Sequence, residues 1–498
     1  MNKIQMSDSY ILAIDQGTSS TKTIIFDALG KAKLKATEPL KTYYLAGNRV
    51  EQKPEEIYQN VLTSIKKCLD GFKSSGGDIG QIKACGISNQ RETFVLWNKA
   101  GKPLYNAVVW QCKRSIKVCN RLKSQRLQTK INQKTGLIID PYFSGTKVIW
   151  LYENEPNIRE AIDKGEAYFG NVDSWLLYKM TGGKSYMTDY SNASRTLFFN
   201  LQELQWDREL LADFGLSNLK LPELKPSSFH FGETDLDGLL NHSISISAMI
   251  GDSHAAAFGE GCFESGNAKA TLGTGSSILM NIGSEPKTSQ NGMVTTICWS
   301  MANRVDYAFE GIIVSAGATI EWIKNQLGLF ENTGDLEAIC LSLEDNGGVY
   351  IVPAFSGLGA PHWDMNRKAS IEGLSFDSTK NHVIRAAVES VSYQIKDVIE
   401  AMEADSGTPL TELKIDGGIT SNKFVVQFLA DLLQRKVTNI KIADVSALGA
   451  AYLAGLDAGV YQNIDHLKTF NQDSTSTLAG ANSMKVKDYY EGWKRVIG

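Results

Sequence analysis

The chain carries one short design twice. Residues 10–31 run from an apolar strand into the turn DQGTSST and return as KTIIFDALGK; AKATLGTGSSILMNI at 268–282 repeats strand, Gly-Thr turn, strand. A duplicated opening constrains the fold strongly, because each copy begins a half that must bury its own sheet. Length agrees: a single core rarely grows past roughly 250–300 residues, and this chain has 498. We expect a boundary near residue 256, giving units 1–256 and 257–498, although no Pro- or Ser-rich linker marks it.

Apolar spacing predicts helices over 54–69, near 144–153 and 172–180, over 422–433 and over 447–460, and buried strands at 82–90, 245–252 and 413–418. A long helix is expected where Val383, Ala387, Val388, Val391, Ile395, Val398 and Met402 share one face, with Ser378 or Asn381 as its cap. Strands alternate with helices in both halves, so the class is α/β.

Several functions are disfavoured. The net charge is −4, whereas a nucleic-acid binder usually shows a basic excess. Seven cysteines are scattered without a C-x-x-C pair, as expected for free thiols in a reducing cytoplasm and not for a zinc site. The N-terminus is read as lacking a secretory signal, and no run approaches the ~18 apolar residues of a membrane span. There is no G-x-x-x-x-G-K-[ST] loop and no G-x-S-x-G elbow. TLGTGSSI lacks the third glycine of a dinucleotide fingerprint, and D-F-G in ADFGL (212–216) stands without the other protein-kinase signatures.

Three glycine-rich turns each follow a strand: DQGTSSTK (15–22), LGTGSS (272–277) and DGGITSN (416–422). Glycine lets a backbone approach phosphate closely and present N–H groups to it. A plain hairpin turn explains any one of them; three, two of them in matching positions, point to phosphates held between two halves. Asp15 and Asp252 each end a strand, where a carboxylate caps a turn, holds Mg²⁺ or accepts a proton from a hydroxyl. Arg91 and Glu92 in NQRET form a donor–acceptor pair of the kind polyols need, since each OH both donates and accepts.

These motifs resemble the FGGY carbohydrate kinase family, on the actin-like ATPase fold, from Tyr10 to about Gly459. YFSGTKVIWLYEN (142–154) and ASIEGLSFDSTKNHVIRAAVE (369–389) resemble its two signatures. SNQRET (88–93), NAVVWQCKRS (106–115), GLIIDPYFSGTK (136–147), DYSNASRTLFFN (189–200), VPAFSGLGAPHWD (352–364) and SALGAAYLAGL (446–456) resemble its glycerol-phosphorylating branch most closely. The resemblance implies two actin-like (ribonuclease H-like) domains around a catalytic cleft, and ATP-dependent phosphorylation of a primary hydroxyl of a small polyol, glycerol foremost. It implies Asp252 as general base, and Asp15 with Asp252 holding Mg²⁺ near the ATP phosphates. Thr18, Ser19 and Lys22, with Gly273 and Thr274, would cradle phosphates, and Gly317, Gly418 and Asn422 would contact the nucleotide. Arg91, Glu92 and Tyr142 would bind substrate hydroxyls, and Trp110 would line the carbon side.

Two departures bear on substrate. The glycerol branch reads GDQQAA where this chain has GDSHAA (251–256), so Ser253 replaces a substrate-contacting Gln. It also carries Phe where Ser277 stands, and losing that contact removes on the order of 1–3 kcal/mol of apolar burial. Both changes make room for a larger polyol or sugar, a tetritol, pentitol or ketopentose. His254 beside them either adds a hydrogen bond or faces away. The fold also serves non-kinase ATPases, which ATP turnover with and without an alcohol would separate. The remaining expectations are a cytoplasmic protein without nucleic-acid partner or membrane insertion, assembled as a homodimer or homotetramer.

Overall fold

Ile11–Ile14 form an unbroken buried run, the pattern of a strand covered on both faces. It lies inside a six-stranded sheet. A computed structural model describes residues 9–470 and 473–498. The strands of its two main sheets are numbered in chain order. The first contains β1 (Tyr10–Gln16), β2 (Ser20–Asp27), β3 (Ala32–Pro39), β4 (Ile82–Asn89), β5 (Ser228–Thr234) and β6 (Ile244–Gly251), ordered β5-β6-β4-β1-β2-β3. The second contains β7 (Asn267–Leu272), β8 (Ser276–Gly283), β9 (Val294–Met301), β10 (Arg304–Ile313), β11 (Glu412–Asp416), β12 (Lys436–Ile440) and β13 (Ser474–Thr477), ordered β9-β10-β8-β7-β11-β12-β13.

The duplication extends from motif to topology. In the first sheet β3-β2-β1 is an antiparallel meander, and β4 then β6 continue parallel to β1. In the second, β10-β8-β7 is antiparallel, and β11 then β12 continue parallel to β7. This is the actin-like arrangement in both halves. Helices α1 (Pro54–Ser74) and α2 (Val172–Met180) cover the outer face of the first sheet; α4 (Gly317–Asn325), α5 (Lys380–Ser406) and α6 (Lys423–Leu433) cover that of the second. The cap of α5 is Thr379, not Ser378 or Asn381: its side chain takes the third backbone N–H while His382 returns to the Thr379 backbone. A histidine completing such a box lies outside the usual Ser/Thr…Glu/Gln pattern, so composition alone pointed one residue too early or two too late.

Between the sheets lie α3 (Asp252–Gly259) and α7 (Val445–Asp457). They pack with Ile11, Ala13, Ala84 and Ile250 of the first sheet and Leu279, Trp299 and Ala308 of the second in one shared core. Each fully buried Leu, Ile or Phe there contributes about 1.5–3 kcal/mol. The alanines and glycines of α7 let the two helices cross at close range. A Cβ on Gly449 would collide with the Ala255 carbonyl, so glycine is required at the crossing.

A smaller five-stranded sheet and the helix Ser144–Asn154 are inserted in the first half, around Phe94, Val108, Phe143, Val148 and Phe169. All seven cysteines are buried and unpaired. Among the described residues, no helix is long and apolar enough to cross a membrane.

Candidate active site

Parallel register assembles the first side of the site. Asp15 pairs across with Ser88, and Asn89 with Gly251, so β1, β4 and β6 end at one edge, where ligands of open α/β sheets bind. Asp15, Arg91–Glu92 and Asp252 leave from that edge. Asp252 opens α3 and accepts the Ser253 N–H at 2.7 Å. The segment 189–195 pins these ends: Asn192 and Asn89 exchange side-chain hydrogen bonds at 2.8 and 3.0 Å, and the Ser191 hydroxyl accepts the Gly251 N–H at 2.9 Å.

Arg91 and Glu92 occupy a tight turn. Glu92 sits at φ 60°, and Thr93 N–H donates to the Arg91 carbonyl at 2.7 Å. A non-glycine residue there costs about 1–2 kcal/mol and needs external support. Support comes from the Ser144 hydroxyl on the Glu92 carbonyl at 2.8 Å and from Arg195, whose Nε donates to Glu92 Oε1 at 2.6 Å.

Two residues to which the sequence motifs assign no role complete this cluster. Glu310, on β10, lies 2.8 Å from Arg91 Nη1 and 2.8 Å from Arg195 Nη2. Arg91 Nε in turn lies 3.2 Å from Asp252 Oδ1. Charges therefore alternate along Glu92–Arg195–Glu310–Arg91–Asp252, and all but Asp252 are buried. Burial alone would raise the Glu310 carboxyl, yet the guanidiniums of Arg195 and Arg91 hold it well below the usual carboxylate range. For Glu310 the sequence signal is a single charge inside an apolar strand, YAFEGII; Arg195 lies in a polar turn, NASRT.

Arg91, Trp110, Tyr142, Ser277 and Glu310 line one cavity of about 930 Å³. Trp110 and Tyr142 meet edge-on with ring centres 5.6 Å apart. Buried Lys147 holds the Pro141 and Tyr142 carbonyls at 2.9 and 2.7 Å, and burial lowers its ammonium to about 8. Glu92 lies behind this wall, 1% exposed. Ser253 is half-buried on α3. His254 is fully buried with Nε2 3.3 Å from the Thr296 hydroxyl, and burial and Arg91 hold its imidazole far below the usual range.

The second predicted set converges separately. Gly273, Thr274, Gly317, Gly418 and Asn422 all line a groove of about 450 Å³. Gly317 opens α4, and its N–H donates to the Gly273 carbonyl at 2.9 Å. Gly417, at φ 101°, turns the chain against Leu272 where a side chain would collide. The Asn422 side chain caps α6 by accepting the Phe424 N–H at 3.0 Å. The turn 273–277 separates the two spaces: Gly273 and Thr274 face the groove, Gly275, Ser276 and Ser277 the larger cavity.

The first turn lies in neither space. Ser19 is exposed at its tip. The Thr18 hydroxyl accepts the Trp110 indole N–H at 2.9 Å and donates to Gln90 Oε1 at 3.3 Å, tying this turn to the cavity wall. Lys22 lies 3.5 Å from Asp15 and 3.2 Å from Asp444, a partner the sequence reading did not include. Burial pushes the Asp15 carboxyl up, Lys22 pulls it down, and the Asp252 charge pushes it up again. The Asp252 charge thus acts on Asp15, and two acids leaving one sheet edge suit a divalent cation held by one or two carboxylates, water and phosphate. Among the described residues no group of three or more acidic, His or Cys ligands forms a closed metal cage.

Two matched sheets, a groove between strand-end turns on one side and a polar, aromatic-walled cavity on the other define a two-domain sugar or polyol kinase, a class that uses ATP. The chain belongs to the FGGY family of carbohydrate kinases: the family's N-terminal domain matches residues 10–259 and its C-terminal domain residues 268–458. It is 45% identical over 493 residues to the glycerol kinase of Carboxydothermus hydrogenoformans, covering 99% of this chain and 98% of that one. The structure of Plasmodium falciparum glycerol kinase with ADP superposes with a TM-score of 0.94 at 34% identity, covering 99% and 98%. Gluconate kinase from Lactobacillus acidophilus shares the fold, with a TM-score of 0.86 at 20% identity over 98% of each chain.

Proposed function

We propose that the protein transfers the γ-phosphoryl group of ATP to a primary hydroxyl of a small polyol, with glycerol as substrate and glycerol 3-phosphate as product. The observation that carries this reading is the cavity bearing Arg91, Trp110 and Tyr142 beside Asp252; the similarity to glycerol kinases supports it. The substrate's carbon edge packs on Trp110, and its hydroxyls meet Arg91, Tyr142 and Ser253, with Glu92 behind them. The Asp252 carboxylate takes the proton of the attacking hydroxyl, whose oxygen bonds to the γ-phosphorus as the bond to the ADP oxygen breaks. Gly273, Thr274, Gly317, Gly418 and Asn422 hold the nucleotide, and Thr18, Ser19 and Lys22 approach its phosphates. Asp15 and Asp252 would hold Mg²⁺, which neutralises phosphate charge. Positioning and charge stabilisation are what phosphoryl transfer chiefly needs. We place the division into units 1–256 and 257–498, with polyol and phosphate contacts in the first and nucleotide contacts in the second.

A second reading, a tetritol, pentitol or ketopentose kinase, is favoured by Ser277, which leaves room in the 930 Å³ cavity, and by Ser253 beside Asp252. ADP release measured across glycerol, erythritol, threitol, xylitol, ribitol, xylulose and dihydroxyacetone separates the two. The first requires glycerol to have the highest kcat/KM; a longer substrate ahead of it by tenfold or more replaces it with the second.

A further inference from the structure

Glu310 belongs to the second half, yet both cations it holds belong to the first. It stands on β10, whose neighbours are β8 and β9, and its side chain is entirely buried. One oxygen meets Arg91 and the hydroxyl of Ser277, the latter at 3.3 Å; the other meets Arg195. A carboxylate taken so completely out of water is retained only when its partners are close and fixed.

The Arg91–Glu310 contact has a particular geometry. Nη1 and Oε1 are 2.8 Å apart, and both side chains are buried. The ion pair includes a residue, Arg91, whose side chain also lines the cavity. Arg91 also faces a second carboxylate, Asp252 at 3.2 Å on Nε. Glu310 anchors the far end of the guanidinium, so the guanidinium does not close wholly onto Asp252. Arg195 fixes Glu92 by the same means from the other side of Glu310.

We infer that Glu310 is a positioning residue for substrate: from the second half it fixes Arg91 directly where that residue meets substrate hydroxyls, and through Arg195 it holds Glu92 in place behind the cavity wall. The inference rests on the reading of the 930 Å³ cavity as the polyol site. It also means that the polyol site is complete only when the second half is docked on the first, although its substrate-facing cation comes from the first alone.

The test is steady-state kinetics on the full chain, with polyol and ATP varied separately. Glu310→Gln keeps the shape and removes the charge. The expected result is a polyol KM raised about tenfold or more, an ATP KM within twofold of the parent, and partial recovery of the polyol KM in Glu310→Asp. A polyol KM within twofold of the parent, or a parallel rise in both KM values, overturns the inference. If Glu310→Gln does not fold, Arg195→Met with Glu310→Met removes one charge of each sign and is read in its place: a selective rise in polyol KM supports the inference, and parent-like values overturn it. The parent is measured first. A parent without polyol- or sugar-dependent ADP release fails the cavity reading itself, whereas an active parent beside a parent-like Glu310→Gln fails only the role given to Glu310.

Discussion

Lys22 of the first half and Asp444 of the second form an ion pair at 3.2 Å, and the same ammonium lies 3.5 Å from Asp15. Asp444 immediately precedes α7, the helix that the second half lays on the first sheet. One cation is therefore shared between a carboxylate of each half beside the turn assigned to the phosphates. Replacing it should weaken nucleotide and spare polyol: Lys22→Met is expected to raise the ATP KM by roughly tenfold, the scale of one lost charge-assisted hydrogen bond, with the polyol KM unchanged. Initial-rate kinetics with each substrate varied in turn checks this, and equal changes in both KM values would count against a phosphate role.

Asp252→Asn keeps the size and the Ser253 contact but removes the base. Turnover should fall by about 10²–10⁴-fold, while ADP binding measured by calorimetry stays within twofold. Appreciable residual turnover would remove Asp252 from the role of proton acceptor.

Ser277→Phe with Ser253→Gln should narrow the cavity and restore an apolar contact. The ratio of kcat/KM for glycerol to that for a tetritol or pentitol is expected to rise about tenfold, within the range one apolar group commands in a pocket. An unchanged ratio would show that these positions do not set chain length.

Asp173 gives a pH prediction. It is fully buried, accepts the Thr188 hydroxyl at 2.6 Å, and has its carboxyl raised to about 7 by burial and by the charge of Asp189. The folded state therefore holds this proton more tightly than the unfolded chain. Its contribution to stability is complete below about pH 4 and is lost as pH rises through about 7. Asp173→Asn should remove that part of the pH dependence and be more stable than the parent at pH 8 by a few kcal/mol, with ~4 kcal/mol as an upper bound. Thermal melts of both proteins at pH 5 and pH 8 test it; parallel changes would refute the assignment.

The elements that read clearly in sequence are those whose pattern is local. The strands at 10–15, 82–90 and 245–252 and the helices at 54–69 and 172–180 fall where buried runs or helical spacing placed them, because burial on one face repeats at short range. Arg91 and Ser277 of the cavity and Gly273, Thr274 and Gly418 of the groove stood out because each lies in or beside a short turn next to a strand. Glu310, Arg195 and Asp444 were not. Each acts on a residue far away in the chain, and nothing in YAFEGII reports that its acid will meet Arg91. The β8–β10 pairing that sets Glu310 against Leu279, and the α3–α7 crossing beside Asp444, join segments distant in the chain.

The placement of α7 also affects how the chain is made. The inner face of the first sheet, with Ile11, Ala13, Ala84 and Ile250, is covered by Leu448 and Leu453 of a helix that begins at Val445. During synthesis at about 5–20 residues per second, β6 emerges roughly 200 residues before its cover, so that face waits on the order of 10–40 s for it. The nascent first half thus has α3 but not α7 on that face. Its escape from aggregation in that interval depends on what shields it on or near the ribosome.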